Sequence, residues 1–154
     1  MMVKMFSDEL ALSSKNDSWE TPQELFNKLN DEFHFNLDPC ADEHNHKCDT
    51  YFTVQDNGLE KKWGGYTVFC NPPYSRKLGQ WVKKAYEESF KPNTVVVMLI
   101  PSRTETKYFH DYIYGKAEIR FIRGRLKFGD AKHDAPFGSM IVVFKGGKNN
   151  GLFR

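Results

Sequence analysis

Thr94-Val95-Val96-Val97-Met98-Leu99-Ile100, closed by Pro101, is the stretch that decides the fold. A charge-free run with three adjacent valines reads as a strand buried on both faces, the habit of parallel sheets. Pro101 withholds a backbone N–H and ends it. Working outward, residues 76–90 carry Trp81, Ala85 and Phe90 among polar residues, which predicts a helix broken at Pro92-Asn93. Thr67–Cys70 predicts a strand stopped by Asn71-Pro72-Pro73. Downstream, residues 104–114 predict a helix. Ile119–Phe128 and Gly138–Phe144 predict two consecutive strands that pair as an antiparallel hairpin at one edge.

Toward the N-terminus, Thr21-Pro22 predicts the start of a helix, with Thr21 as N-cap, proline at the first helical position and Glu24 in the first turn. Leu25, Phe26 and Leu29 recur at helical spacing, and the helix is expected to end near Asn30–Asp31. Phe33–Leu37 alternates apolar and polar residues and predicts a short strand; Tyr51–Val54 predicts another, and Asp56-Asn57-Gly58 a turn. Strands alternating with helices predict an α/β fold with a mostly parallel central sheet and helices on both faces. The expected organisation is a polar lead-in over 1–18, one domain over 19–145 and a tail over 146–154.

The chain has 154 residues, the length of one domain, with 40% hydrophobic and 27% charged residues. That balance excludes collagen, coiled coil and wholesale disorder. No apolar run reaches the ~18 residues of a membrane span. The first residues carry acids early and do not read as a secretory signal, and the three cysteines are odd in number. Reduced thiols in a cytoplasm are therefore expected. The formal charge of +2 hides a division: residues 1–75 carry −7 and residues 76–154 carry +9. A basic half suits a polyanion, although a solvated surface of uneven charge has the same arithmetic.

Asn71-Pro72-Pro73-Tyr74 is the sharpest chemical signal. Two prolines stiffen the loop and remove two N–H donors, which leaves carbonyls free. An asparagine oxygen beside a free carbonyl makes two acceptors, matched to the two hydrogens of an –NH₂ group. Tyr74 adds a flat face for an aromatic heterocycle. Cys40, His44, His46 and Cys48 have a spacing that zinc accepts in principle, but the loop is too short and crowded for a regular zinc motif, and no metal is expected. Arg123, Arg125 and Lys127 alternate on a predicted strand, opposite Ile122, Leu126 and Phe128. Such a basic face suits DNA phosphates; an ordinary solvated strand face reads the same way.

Asn-Pro-Pro-Tyr after a strand resembles the catalytic motif of S-adenosylmethionine-dependent amino-methyltransferases. More of the chain resembles one branch, the phage-type DNA N-6-adenine-methyltransferases. The resemblance runs in order through Trp19-Glu20-Thr21-Pro22, Leu37-Asp38-Pro39-Cys40-Ala41-Asp42, Asp56-Asn57-Gly58-Leu59, Trp63, Met98–Thr104 and Gly124–Phe128. It implies a Rossmann-like methyltransferase fold and transfer of a methyl group from S-adenosylmethionine to adenine N6 in double-stranded DNA, with the base flipped out. Asn71, Pro72, Pro73 and Tyr74 would be the catalytic loop. Asp38 would meet the cofactor's amino group, Pro39, Cys40 and Ala41 its methionine portion, Thr21 and Pro22 the same end, and Asp56 its adenine or ribose, with Asn71 also at the cofactor. The loop after the first strand lacks the glycines common in such enzymes. Amino-methyltransferases of RNA or protein glutamine share the motif, and an inactive DNA-binding relative is a further alternative. The phage resemblance implies protection of viral DNA from restriction, in a bacterial cytoplasm.

Overall fold

The computed structural model of the chain describes residues 19–129 and 133–146. The expected lead-in over 1–18, and all but the first residue of the expected tail, lie outside them. Four strands form one sheet: β1 (Thr67–Cys70), β2 (Val95–Pro101), β3 (Glu118–Phe121) and β4 (Ser139–Phe144), ordered β1-β2-β4-β3. β1 runs parallel to β2, and β4 runs antiparallel to both β2 and β3. Three strands therefore point one way and β4 points back. The expected hairpin is present, but its second strand lies inside the sheet and β3 forms the edge. Single parallel bridges from Leu37 to Val68 and from Asp38 to Tyr51 carry the pairing past β1.

The side-chain alternation of the strands makes two cores. Val96, Met98 and Ile100 of β2 join Val68 and Cys70 on one face, under α2 (Leu78–Glu88), which buries Trp81, Val82 and Ala85 there. Val97 and Leu99 join Phe69 and Ile141 on the other, under α1 (Gln23–Phe33), which buries Phe26 and Leu29. Residues of β2 and β4 are almost all buried, as the charge-free run predicted.

Several expectations need correction. Phe33–Leu37 is not a strand. α1 runs on to Phe33, and His34 then takes a left-handed backbone (φ 56°) with its N–H on the Asn30 carbonyl, so only Leu37–Asp38 is left to pair. Tyr51–Val54 pairs only at Tyr51; Val54 is 86% exposed on a turn. Residues 104–114 contain a π-helical turn, Phe109–Ile113, instead of a regular helix. Phe90 lies beyond the end of α2 and is half exposed. β3 stops at Phe121, so Arg123, Arg125 and Lys127 sit in an irregular segment that bends at Gly124 (φ 75°). Their alternation is real all the same: the three cations are exposed while Phe128 is buried in the second core.

Candidate active site

Asn71 follows the last residue of β1, and Asp38 closes the bridged segment beside it. Both therefore stand at the carboxyl edge of the parallel part of the sheet, where open α/β sheets collect ligands. A cavity of about 510 Å³ opens there. It is lined by Thr21, Asp38, Pro39, Cys40, Ala41, Asn71 and Pro73 among the expected residues. Its volume is in the range that holds a cofactor-sized molecule. Pro22 and Asp56 do not line it. Pro22 caps α1, and its carbonyl accepts the Phe26 N–H at 3.1 Å. Exposed Asp56 accepts the Thr53 N–H at 2.8 Å, which holds its carboxyl below the usual range.

Thr21 does not cap the helix with its side chain. Its hydroxyl accepts instead from Asn71 Nδ2 at 2.9 Å, and the same nitrogen donates to the Trp19 carbonyl. Both amide hydrogens of Asn71 are thus engaged. Its Oδ1 is buried and has no partner among the described residues. No donor among them reaches the Pro72 carbonyl either. A buried acceptor left unpaired costs about 1–3 kcal/mol, so its persistence needs a reason.

Asp38 is buried, and its two oxygens accept the Cys40 N–H at 3.2 Å and the Lys47 N–H at 2.9 Å. Burial raises its carboxyl above the ordinary range, against the pull of those two N–H groups. Each oxygen keeps acceptor capacity for a cationic ligand. Behind the loop, Cys40 and Cys70 hold their sulfurs 3.6 Å apart, and burial pushes the Cys40 thiol well up. In the same loop His46 stacks on Tyr51 at 4.0 Å, and burial pushes the Cys48 thiol up to about 12.

Tyr74 does not line this cavity. It lines a second one of about 810 Å³, together with Trp19, Leu78, Tyr108, Tyr112 and Phe137. Its hydroxyl donates to the Leu99 carbonyl at 3.0 Å, and its ring meets Phe128 and Phe137 edge-on. Trp19 and Ser75 line both cavities, so the Asn71–Tyr74 loop stands between them. Four exposed cations, Arg76, Lys83, Arg103 and Lys107, line the second cavity, and none is in an ion pair among the described residues. Arg123, Arg125 and Lys127 line neither.

Beyond its own geometry, the chain is similar in sequence to known proteins. A family model described as DNA N-6-adenine-methyltransferase (Dam) matches residues 9–150. The chain belongs to the DNA N-6-adenine-methyltransferase family. A DNA N-6-adenine-methyltransferase of Haemophilus phage HP1 is 37% identical over 140 residues, covering 86% of this chain and 80% of that protein. One of Escherichia phage T1 is 35% identical over 112 residues, 71% of this chain and 46% of that protein. A putative methyltransferase, YfdM, of Escherichia coli is 37% identical over 70 residues, 41% of this chain and 77% of that protein. Family membership makes the chain an enzyme of methyl transfer. Among its described residues no helix is long and apolar enough to cross a membrane.

Gly58 also lines the first cavity, and the sequence alone did not single it out. A Cβ there would lie 2.4 Å from the Pro39 carbonyl oxygen and 3.2 Å from the Trp81 ring. Only glycine lets the turn approach the Pro39–Ala41 loop so closely. The Asp-Asn-Gly signal marked a turn correctly; nothing in it said what the turn packs against.

Proposed function

We propose that the chain methylates adenine N6 in DNA, with the adenine turned out of the duplex and S-adenosylmethionine as donor. The observation that carries this reading is the unpartnered, buried Oδ1 of Asn71 beside the free Pro72 carbonyl. Two acceptors on consecutive residues suit the two hydrogens of an exocyclic amine. Pairing both orients the amine and turns its lone pair out of conjugation with the ring. The same oxygens stabilise the positive charge that builds on nitrogen. Both are neutral, so the proton that N6 gives up passes to water and needs no side-chain base.

S-adenosylmethionine, when bound, supplies an electrophilic methyl group on a sulfonium centre. The first cavity fits that group. Asp38 there is a desolvated carboxylate with spare acceptor capacity, suited to an α-ammonium, and Pro39, Cys40 and Ala41 offer a wall for the methionine portion. Asn57 and Gly58 line the part of the cavity where Asp56 was expected. The adenine takes the second cavity, with Tyr74 as its stacking surface; the anchored hydroxyl fixes the ring. DNA phosphates meet the cations of that cavity's rim and Arg123, Arg125 and Lys127 beyond it. A Rossmann-like methyltransferase fold is the finer description we give the sheet, supported by the reversed β4 and a helix on each face. The phage relatives support a role in protecting viral DNA in the host cytoplasm.

The reading is tested by Asn71→Ala, assayed for transfer of labelled methyl to duplex DNA. It predicts a fall in turnover of at least ~10² with cofactor affinity retained, by comparison with the loss of one transition-state hydrogen-bonding group elsewhere. Near-normal turnover would reject it.

A further inference from the structure

The amide of Asn71 has two possible orientations, and only one turns its oxygen away from residues 19–21. In the structure Nδ2 donates both hydrogens to that segment, one to the Trp19 carbonyl and one to Thr21 Oγ1 at 2.9 Å. The two partners differ in kind. A hydroxyl accepts or donates, so Thr21 tolerates either orientation. A carbonyl only accepts, so a flipped amide would press Oδ1 against the Trp19 oxygen. Trp19 therefore selects the orientation, and Thr21 holds the plane of the group.

The segment is itself firmly held. The Trp19 ring packs edge-on against Phe128 at 5.4 Å and Phe137 at 5.3 Å. The Glu20 carbonyl accepts the Gly129 N–H at 2.8 Å, and Thr21 is buried. Asn71 Oδ1 gains nothing from these contacts: it is buried and has no partner among the described residues. A contact network that satisfies the nitrogen fully and strands the oxygen makes little sense as a stabilising device.

We infer that Trp19 and Thr21 are positioning residues, which lock the Asn71 amide with its oxygen reserved for the target amine. The inference rests on the catalytic reading of Asn71 given above. It differs from the cofactor-capping role that the resemblance implied for Thr21.

Two replacements in the full chain test it. Thr21→Val keeps the shape and removes the hydroxyl. It lowers kcat roughly ten-fold or more by loosening the reacting geometry, leaves S-adenosylmethionine affinity within about two-fold, and Thr21→Ser restores kcat. Asn71→Asp keeps the size but faces the Trp19 carbonyl with an acceptor. In that variant an ionised carboxylate is repelled from the seat of the amide; a protonated carboxyl donates to the Trp19 carbonyl and frees its own carbonyl oxygen. Its turnover relative to the parent protein is therefore low at neutral pH and rises as pH falls. Glu20, Asp38 and Asp42 in the same cavity push that titration up, and Lys47 and Lys77 push it down. Melting curves for each variant separate these effects from unfolding. A Thr21→Val protein that is folded, keeps its kcat and loses cofactor affinity overturns the lock and returns Thr21 to the cofactor. So does an Asn71→Asp protein that turns over normally at neutral pH. An active Asn71→Ala protein instead rejects the catalytic reading beneath it.

Discussion

At the scale of the residue, Asp38 and Tyr74 carry testable consequences of their surroundings. Burial holds the Asp38 carboxyl above the ordinary range, so folding shifts its titration toward the neutral form relative to the unfolded chain. That contribution to stability is present at low pH and is lost as pH rises through the folded value. A bound ammonium favours the ionised form, so the cofactor's affinity moves the other way and falls as the solution is acidified through that same value. Calorimetric titration of S-adenosylmethionine between pH 4 and 8 should show this weakening in acid. Asp38→Asn should bind roughly 10- to 100-fold more weakly, the worth of one charge-assisted hydrogen bond, and should flatten the pH dependence. Unchanged affinity would leave Asp38 as a turn residue only. Tyr74→Phe keeps the ring and loses the bond to the Leu99 carbonyl. Its methylation rate should stay within about ten-fold, with a loss of about 0.5–1.5 kcal/mol in stability. Tyr74→Ala should lose both DNA affinity and rate, because base stacking is worth ~1–3 kcal/mol.

At the scale of the element, the Pro39–Ala41 loop is braced from α2. Glu88 is buried and accepts the Trp63 N–H at 2.5 Å, while the Trp63 indole donates to the Gly58 carbonyl at 3.0 Å. Gly58 in turn lies against the Pro39 carbonyl. Glu88→Ala should lower Tm by on the order of 10 °C, since it strands a buried N–H and breaks the contacts to Lys84 and Lys91. Gly58→Ala should fold but bind S-adenosylmethionine at least ten-fold more weakly, because Pro39 must move; normal binding would uncouple the turn from the cavity. The elements also show what a sequence can disclose. β2, β4, both long helices and the hairpin were legible because their burial is written as unbroken apolarity or as clean periodicity. The placing of Asn71 and Asp38 at strand ends was legible because strand ends with prolines are chemically conspicuous. Phe33–Leu37 was misread because helix and strand patterns overlap there, and a left-handed His34 settled the contest locally. The partners of Asn71 were not legible: they lie 50 and 52 residues away in the chain, and hydrogen bonds across such distances leave no spacing to read.

At the scale of the whole molecule, seven cations of the basic second half stand at two places. Arg76, Lys83, Arg103 and Lys107 surround the second cavity, and Arg123, Arg125 and Lys127 stand on the segment that leaves β3. Each phosphate contact adds about one unit to the slope of log affinity against log salt. Replacing Arg103 and Lys107 together, or Arg123 and Arg125 together, should flatten that slope by up to ~2 units and leave cofactor binding intact. Unchanged slopes for both pairs would put the DNA on another face. The central claim is methyl transfer to adenine N6 through the Asn71 acceptor. It is tested most directly by incubating the protein with methyl-labelled S-adenosylmethionine and duplex DNA, then digesting the DNA to nucleosides. The account predicts label in N6-methyldeoxyadenosine, reduced at least ~10²-fold by Asn71→Ala in a protein that still binds cofactor. Label in another base, or undiminished label with Asn71→Ala, would contradict it.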